Sequence, residues 1–175
     1  MTLLETSKKQ LLQDYKVLDE KEFSKLLTQN NPSSGISLKN LKERQEVLYF
    51  ISESELLYPR FQLTQSFRFY DKLREILPTL YQKLSGWDIG FWLTRHQTIE
   101  LFQPNLSEAT ISSLVSVNES IDEIANVIGD KLRQQKNTLS AKPLDLIKNN
   151  DERIDLFFED LLLGDSREIP HKYLP

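Results

Sequence analysis

The chain has 175 residues, 39% of them hydrophobic and 27% charged, with a net charge of −4 and a pI near 5.3. That suits one domain, or one domain with a small satellite, and it is too apolar for wholesale disorder. The slight acidity supplies no global field for nucleic acid or acidic lipid, and the absence of cysteine excludes disulfides, thiolate zinc sites and cysteine nucleophiles. Met1-Thr2-Leu3-Leu4-Glu5 carries no basic segment leading into an apolar run, and no stretch approaches the roughly 20 apolar residues of a membrane helix. A cytoplasmic protein without membrane contact is expected.

Taken in order, residues 3–16 set Leu4, Leu11, Leu12 and Tyr15 at helical spacing. Asp19, with Glu22 three residues on, reads as the N-cap of a second helix that turns Phe23, Leu26 and Leu27 inward. Asn30 to Gly35 is a loop by its turn formers, and Ser37 can cap a third helix with Leu38 and Leu41 on its apolar side. Two β-prone runs follow, Val47–Ile51 and Leu56–Tyr58, joined by Ser52-Glu53-Ser54-Glu55 as a small hairpin. Helix, turn, helix and hairpin resemble a winged helix-turn-helix. On that reading Lys39, Lys42 and Arg44 lie on the candidate recognition helix, where they would meet phosphates or base edges, although Glu43 and Glu46 dilute the charge.

Between Tyr49 and Leu93 fall both tryptophans, four of the six tyrosines and five of the nine phenylalanines. Large aromatics bury the most apolar area per residue, so this stretch locates the main core. It holds two knots, Tyr58-Pro59-Arg60-Phe61-Gln62 and Trp87-Asp88-Ile89-Gly90-Phe91-Trp92-Leu93. Residues 68–84 read as a helix that Pro78 must kink or divide, and a short buried helix starts near Trp87. Beyond it, helices are expected in 107–115 and from Glu119 to Leu132, with polar 133–142 as a linker. Pro143–Ile147 precedes a final helix whose Ile154, Leu156, Phe157, Phe158, Leu161, Leu162 and Leu163 exceed one core-facing stripe, and that surplus points to a partner surface. The fold class expected is mainly α: a compact helical domain with an N-terminal helix-turn-helix-like segment and one small β-hairpin. Its divisions are 1–56, a helical core at 57–142, and a partner-binding helix and tail at 143–175.

Candidate chemistry is sparse. His96 has no second ligand at helical spacing and His171 lies in the terminal tail. Asp122/Glu123, Asp151/Glu152 and Glu159/Asp160 are adjacent pairs, and adjacent helical residues point about 100° apart, so they cannot share a proton. There is no G-x-S-x-G elbow, P-loop or G-x-G-x-x-G. Arg60, set inside an aromatic knot, reads as an ion-pairing or cation–π residue of the core. No catalytic, cofactor-binding or metal-ligating residue is assigned, and a non-enzyme is expected.

With these residues in view, the chain resembles the toxin-binding domain of Xre/MbcA/ParS-type antitoxins. The motifs that carry the resemblance are Tyr58-Pro59-Arg60-Phe61-Gln62, with Tyr58, Pro59, Phe61 and Gln62 matching, then Trp87 and Trp92 in Trp87–Leu93, and Pro143 in Pro143–Lys148. Two features differ from the family pattern. Thr94–Thr98 stands where the family has a glycine turn, and Pro143 follows Trp92 by some fifty residues. Either 104–138 is an insertion, or Pro104 is the counterpart and the terminal helix an addition. The resemblance implies a protein that neutralises a toxin enzyme, of the RES type that consumes NAD, by binding it without a cofactor of its own. It implies toxin contact through Leu156, Phe157, Leu161, Leu162, Arg167, His171 and Tyr173, residue types that suit interface anchors. Promoter DNA, bound as a homodimer, would be a second partner. The alternative is a helix-turn-helix-like transcriptional regulator with no toxin.

Overall fold

The computed structural model describes residues 2–30, 37–102, 120 and 136–163. By contacts the chain divides into two units, Met1–His96 with Lys142–Ile154, and Gln97–Ala141 with Asp155–Pro175. The architecture is mixed α/β, which corrects the mainly α expectation with its single hairpin. Among the described residues, seven α-helices accompany one three-stranded and one two-stranded sheet.

In the first unit α1 (Leu3–Asp14) starts from a Thr2 capping box with Glu5 and leads into β1 (Val17–Asp19). Helix α2 (Glu20–Asn30) begins as its sequence demands, with the Glu22 N–H donating to the Asp19 carboxylate at 2.7 Å. Helix α3 (Leu38–Glu43) follows, and Ser37 stands at its N-cap position without a side-chain hydrogen bond. It ends in a Schellman motif: Gln45 takes a φ of 57°, Glu46 N–H donates to Leu41 O, and Gln45 N–H donates to Lys42 O. The hairpin then consists of β2 (Phe50–Ser52) and β3 (Glu55–Pro59), joined by Glu53 and Ser54, both at positive φ as a two-residue type I′ connection requires.

Strand β3 is central, with β1 and β2 antiparallel on either side, Leu18 opposite Tyr58 and Phe50 opposite Leu57. Side chains alternate across a sheet, so Leu18 and Tyr58 share one face and Phe50 takes the other. The first face joins Phe23, Leu27, Leu38, Leu41, Val47, Leu63 and Phe69 in one cluster. On the second face Phe50 stacks on Trp87 with centroids 4.5 Å apart.

After a 3-10 turn at Arg60–Gln62, α4 (Asp71–Leu80) carries Pro78 in its last turn and buries Leu73, Ile76, Leu77 and Leu80. Ser85 does not merely end that helix. With Asp88 it forms the capping box of α5 (Gly86–Thr94), where Ile89 and Leu93 are fully buried. Helix α6 (Pro143–Lys148) packs on α5, has Pro143 in its first turn, and closes in a second Schellman motif at Asn150 (φ 52°). Helix α7 spans Ile154–Leu163.

In the second unit β4 (Gln97–Phe102) and β5 (Lys136–Ala141) pair antiparallel, with Ile99 opposite Leu139. Residues 136–141, expected within a linker, are therefore a strand. Their polar sequence suits the exposed positions of this hairpin, where Thr98 donates to Ser140 at 3.1 Å. The helices expected at 107–115 and 119–132 lie outside the described residues, apart from Ser120. Among the described residues no helix is long and apolar enough to cross a membrane.

Helix α5 meets the 47–51 segment through its glycines. A Cβ at Gly86 would lie 2.0 Å from the Tyr49 carbonyl oxygen, and one at Gly90 would lie 2.7 Å from the Phe50 ring. Gly86→Ala, facing backbone, should cost about 2 kcal/mol or more, at the upper end for overpacking, and Gly90→Ala about 1 kcal/mol because a ring can shift. Urea unfolding of the two variants checks the order, which reverses if Gly86 tolerates the methyl group.

Candidate partner-binding surface

The two aromatic knots do structural work on one segment. Gln62 is fully buried, and its side-chain oxygen accepts from Leu48 N–H at 2.9 Å while its amide donates to Leu48 O at 3.0 Å and Pro59 O at 2.9 Å. The Tyr81 hydroxyl accepts from Tyr49 N–H at 3.1 Å and donates to Val47 O at 3.2 Å. Trp87 Nε1 donates to Ile51 O at 2.9 Å. Phe61 is buried and meets the Tyr15 ring edge-on at 5.2 Å. Trp92 is buried in α5, and Pro143 is buried at the start of α6.

Tyr58 stacks on Phe23 at 5.0 Å, and its buried hydroxyl has Lys42 as a neighbouring cation. Burial first, and then the Glu20 carboxylate, push its ionisation upward. Arg60, as its setting suggested, lies over a ring: its guanidinium is 4.5 Å from the Phe67 centroid and donates to the Leu63 and Thr64 carbonyls at 2.8 and 2.9 Å.

The three basic residues of the recognition-helix reading have different surroundings. Lys42 Nζ is held by Glu20 at 2.7 Å, a hydrogen bond that raises its pKa. Lys39 lies 3.9 Å from Glu43 along an exposed face, and Arg44 is exposed at the C-cap. Helix α3 has six residues, and the adjoining hairpin tip carries Glu53 and Glu55. Its charge is mixed where a phosphate-facing surface needs cations.

The residues assigned to toxin contact divide along α7. Leu156 and Phe157 are buried, 5% and 1% exposed, so they anchor the helix. Leu161 and Leu162 are half-buried, while Leu163 is 72% exposed. Arg167, His171 and Tyr173 lie outside the described residues. Sequence reasoning placed Leu163 in the apolar surplus without singling it out, because periodicity cannot tell which of three consecutive leucines faces solvent. His96 is exposed, and among the described residues no three of His, Cys, Asp and Glu gather as metal ligands. No family model, curated protein or solved structure matches the chain.

Gln62→Leu keeps the volume but strands both polar groups of Leu48, and should cost about 2–4 kcal/mol in denaturant unfolding. Tyr81 predicts an alkaline effect. Burial raises its pKa above the ordinary tyrosine value, so the unfolded chain releases the proton first. Stability should therefore be full below that ordinary value and fall as pH rises past it. Tyr15 and Tyr58 are shifted the same way. Tyr81→Phe should lower stability at neutral pH by about 1 kcal/mol and flatten the alkaline decline, as read by urea midpoints between pH 8 and 11.

Proposed function

We propose that the chain is a non-catalytic, antitoxin-like protein that binds and silences a toxin enzyme, and that the contact runs along the C-terminal end of α7 into the tail beyond it. The observation that carries this reading is the apolar end of that helix: Leu163 stands 72% exposed beside half-buried Leu161 and Leu162. Leu156 and Phe157, one to two turns earlier, are buried and hold the helix in place. Arg167, His171 and Tyr173 extend the proposed contact into the tail. The resemblance of the aromatic and proline motifs to toxin-binding antitoxins supports the same reading and suggests an NAD-consuming, RES-type enzyme as the partner.

The test is co-expression with a RES-type enzyme encoded beside this chain, reading cellular NAD and co-purification. The wild-type chain should keep NAD high and carry the enzyme with it. Leu163→Asp should weaken capture by about tenfold or more and let NAD fall, with the melting temperature little changed because the residue is exposed. Equal protection by the variant would move the contact elsewhere, and failure of the wild-type chain to capture the enzyme would reject the reading.

A further inference from the structure

Two exposed tips of the first unit hold non-glycine residues in the left-handed region. One is the β2–β3 turn, with Glu53 at φ 50° and Ser54 at φ 71°. The other is the Thr64–Arg68 turn, where Phe67 has φ 60°. That region is unusual for L-residues and rarest for bulky ones, so an aromatic residue persists there only when its surroundings dictate it. Here they do. Thr64 N–H donates to Arg68 O at 2.7 Å, Phe67 N–H donates to Thr64 O at 3.1 Å, and Arg60 lies against the Phe67 ring.

The tips are chemically opposite. At the first, Glu53 and Glu55 are exposed beside Ile51, itself 63% exposed. At the second, Arg60 and exposed Arg68 flank half-buried Phe67. Among the described residues none of these four charges forms an ion pair. Arg60 spends two of its N–H groups on neutral carbonyls, so its positive charge is fixed in place and uncompensated. The two tips cannot meet within one molecule, because they stand at opposite ends of β3, which at about 3.3 Å per residue separates them by roughly 15 Å.

We propose that the two tips form one self-complementary interface and that its occupant is a second copy of this chain. Two copies lying side by side in opposite directions bring the Ile51/Glu53/Glu55 tip of each onto the Arg60/Phe67/Arg68 tip of the other. Both contacts form at once and the arrangement closes on itself as a two-fold dimer. Arg and aromatic side chains are favoured interface anchors, and stacking fixes this pair before association. The inference is independent of the proposed toxin contact, which lies on α7.

Sedimentation equilibrium of the full chain tests it. The wild type should dimerise, with affinity falling as salt rises from roughly 0.05 to 0.5 M. Arg68→Glu alone, and Glu53→Arg with Glu55→Arg, should each weaken the dimer by about tenfold or more. A chain carrying all three changes restores the charge pairing and should regain the wild-type constant. Phe67→Gly, which adopts positive φ without strain, should weaken the dimer while its melting temperature does not fall; a purely structural Phe67 would lower it. The proposal is overturned if the wild type stays monomeric, if the reversed variants dimerise as it does, or if the combined variant fails to recover. A monomeric wild type that binds a polyglutamate peptide through Arg68 would give the basic tip to a foreign acidic partner and also overturns it.

Discussion

The first unit depends on how the backbone of Val47–Ile51 is satisfied. Val47, Leu48 and Phe50 are fully buried, yet β-pairing begins only at Phe50, so the preceding amides and carbonyls have no ladder to join. A buried peptide group without a partner costs as much as a lost hydrogen bond, and here the partners are side chains. Gln62 takes both polar groups of Leu48, the Tyr81 hydroxyl bridges Tyr49 N–H and Val47 O, and Trp87 caps Ile51 O. Much of the local geometry follows. Helix α3 must stop where it does, through Gln45, to deliver the chain into this slot, and Arg74 on α4 pairs with Glu46 at its entrance. Helix α5 must present glycine at position 86, since only a bare backbone can approach the Tyr49 carbonyl so closely, while a side chain at position 90 would have to displace the Phe50 ring.

This changes what the aromatic motifs mean. In the sequence Tyr58–Gln62 and Trp87–Leu93 mark the main core by their large aromatics, and they also carry the resemblance to a toxin-binding family. In the fold the polar atoms of Gln62 and Trp87 are turned inward onto the backbone of the Val47–Ile51 segment. A motif of this kind serves to thread one segment through a core. It says nothing direct about what the outer surface holds, which is why the proposed contacts fall at the ends of elements and not on the motifs.

Local features were legible where the cause was local. The Asp19 cap, the helical runs of α1, α2 and α4, the burial of α5 and the Arg60 cation–π contact all follow from neighbouring residues, and each is seen. The β2–β3 hairpin was also legible, but the other strands were not. Three-residue β1 has no alternation to read and exists because β3, some forty residues on, accepts it as a neighbour. Strand β5 (Lys-Asn-Thr-Leu-Ser-Ala) is polar enough to pass for a linker, and its pairing with β4 spans a long stretch of chain. Ser85 likewise reads as the end of one helix until the Asp88 carboxylate is seen closing the box that begins the next. At the candidate site, the apolar surplus of α7 was visible in the sequence, but the division into buried Leu156 and Phe157 and exposed Leu163 was not, since it depends on what packs against the helix.

Electrostatics separates scaffold from surface by the same logic. Lys42, Arg74 and Arg153 each face a carboxylate close by, and the hydrogen bond from Arg153 holds Asp151 below its ordinary range. Such exposed or half-buried pairs add little net stability, but they settle where the charges point and leave little of their field for a partner. On a chain with net charge −4, an arginine that faces only carbonyls and a ring is therefore conspicuous. Its field has not been cancelled locally, so it remains available to steer and orient an acidic surface. A core this constrained, built on side chain to backbone bonds, supplies the rigid base that such an exposed tip needs to keep its geometry. The rigidity that hides the motifs inside the molecule is thus what makes its ends suitable for recognition.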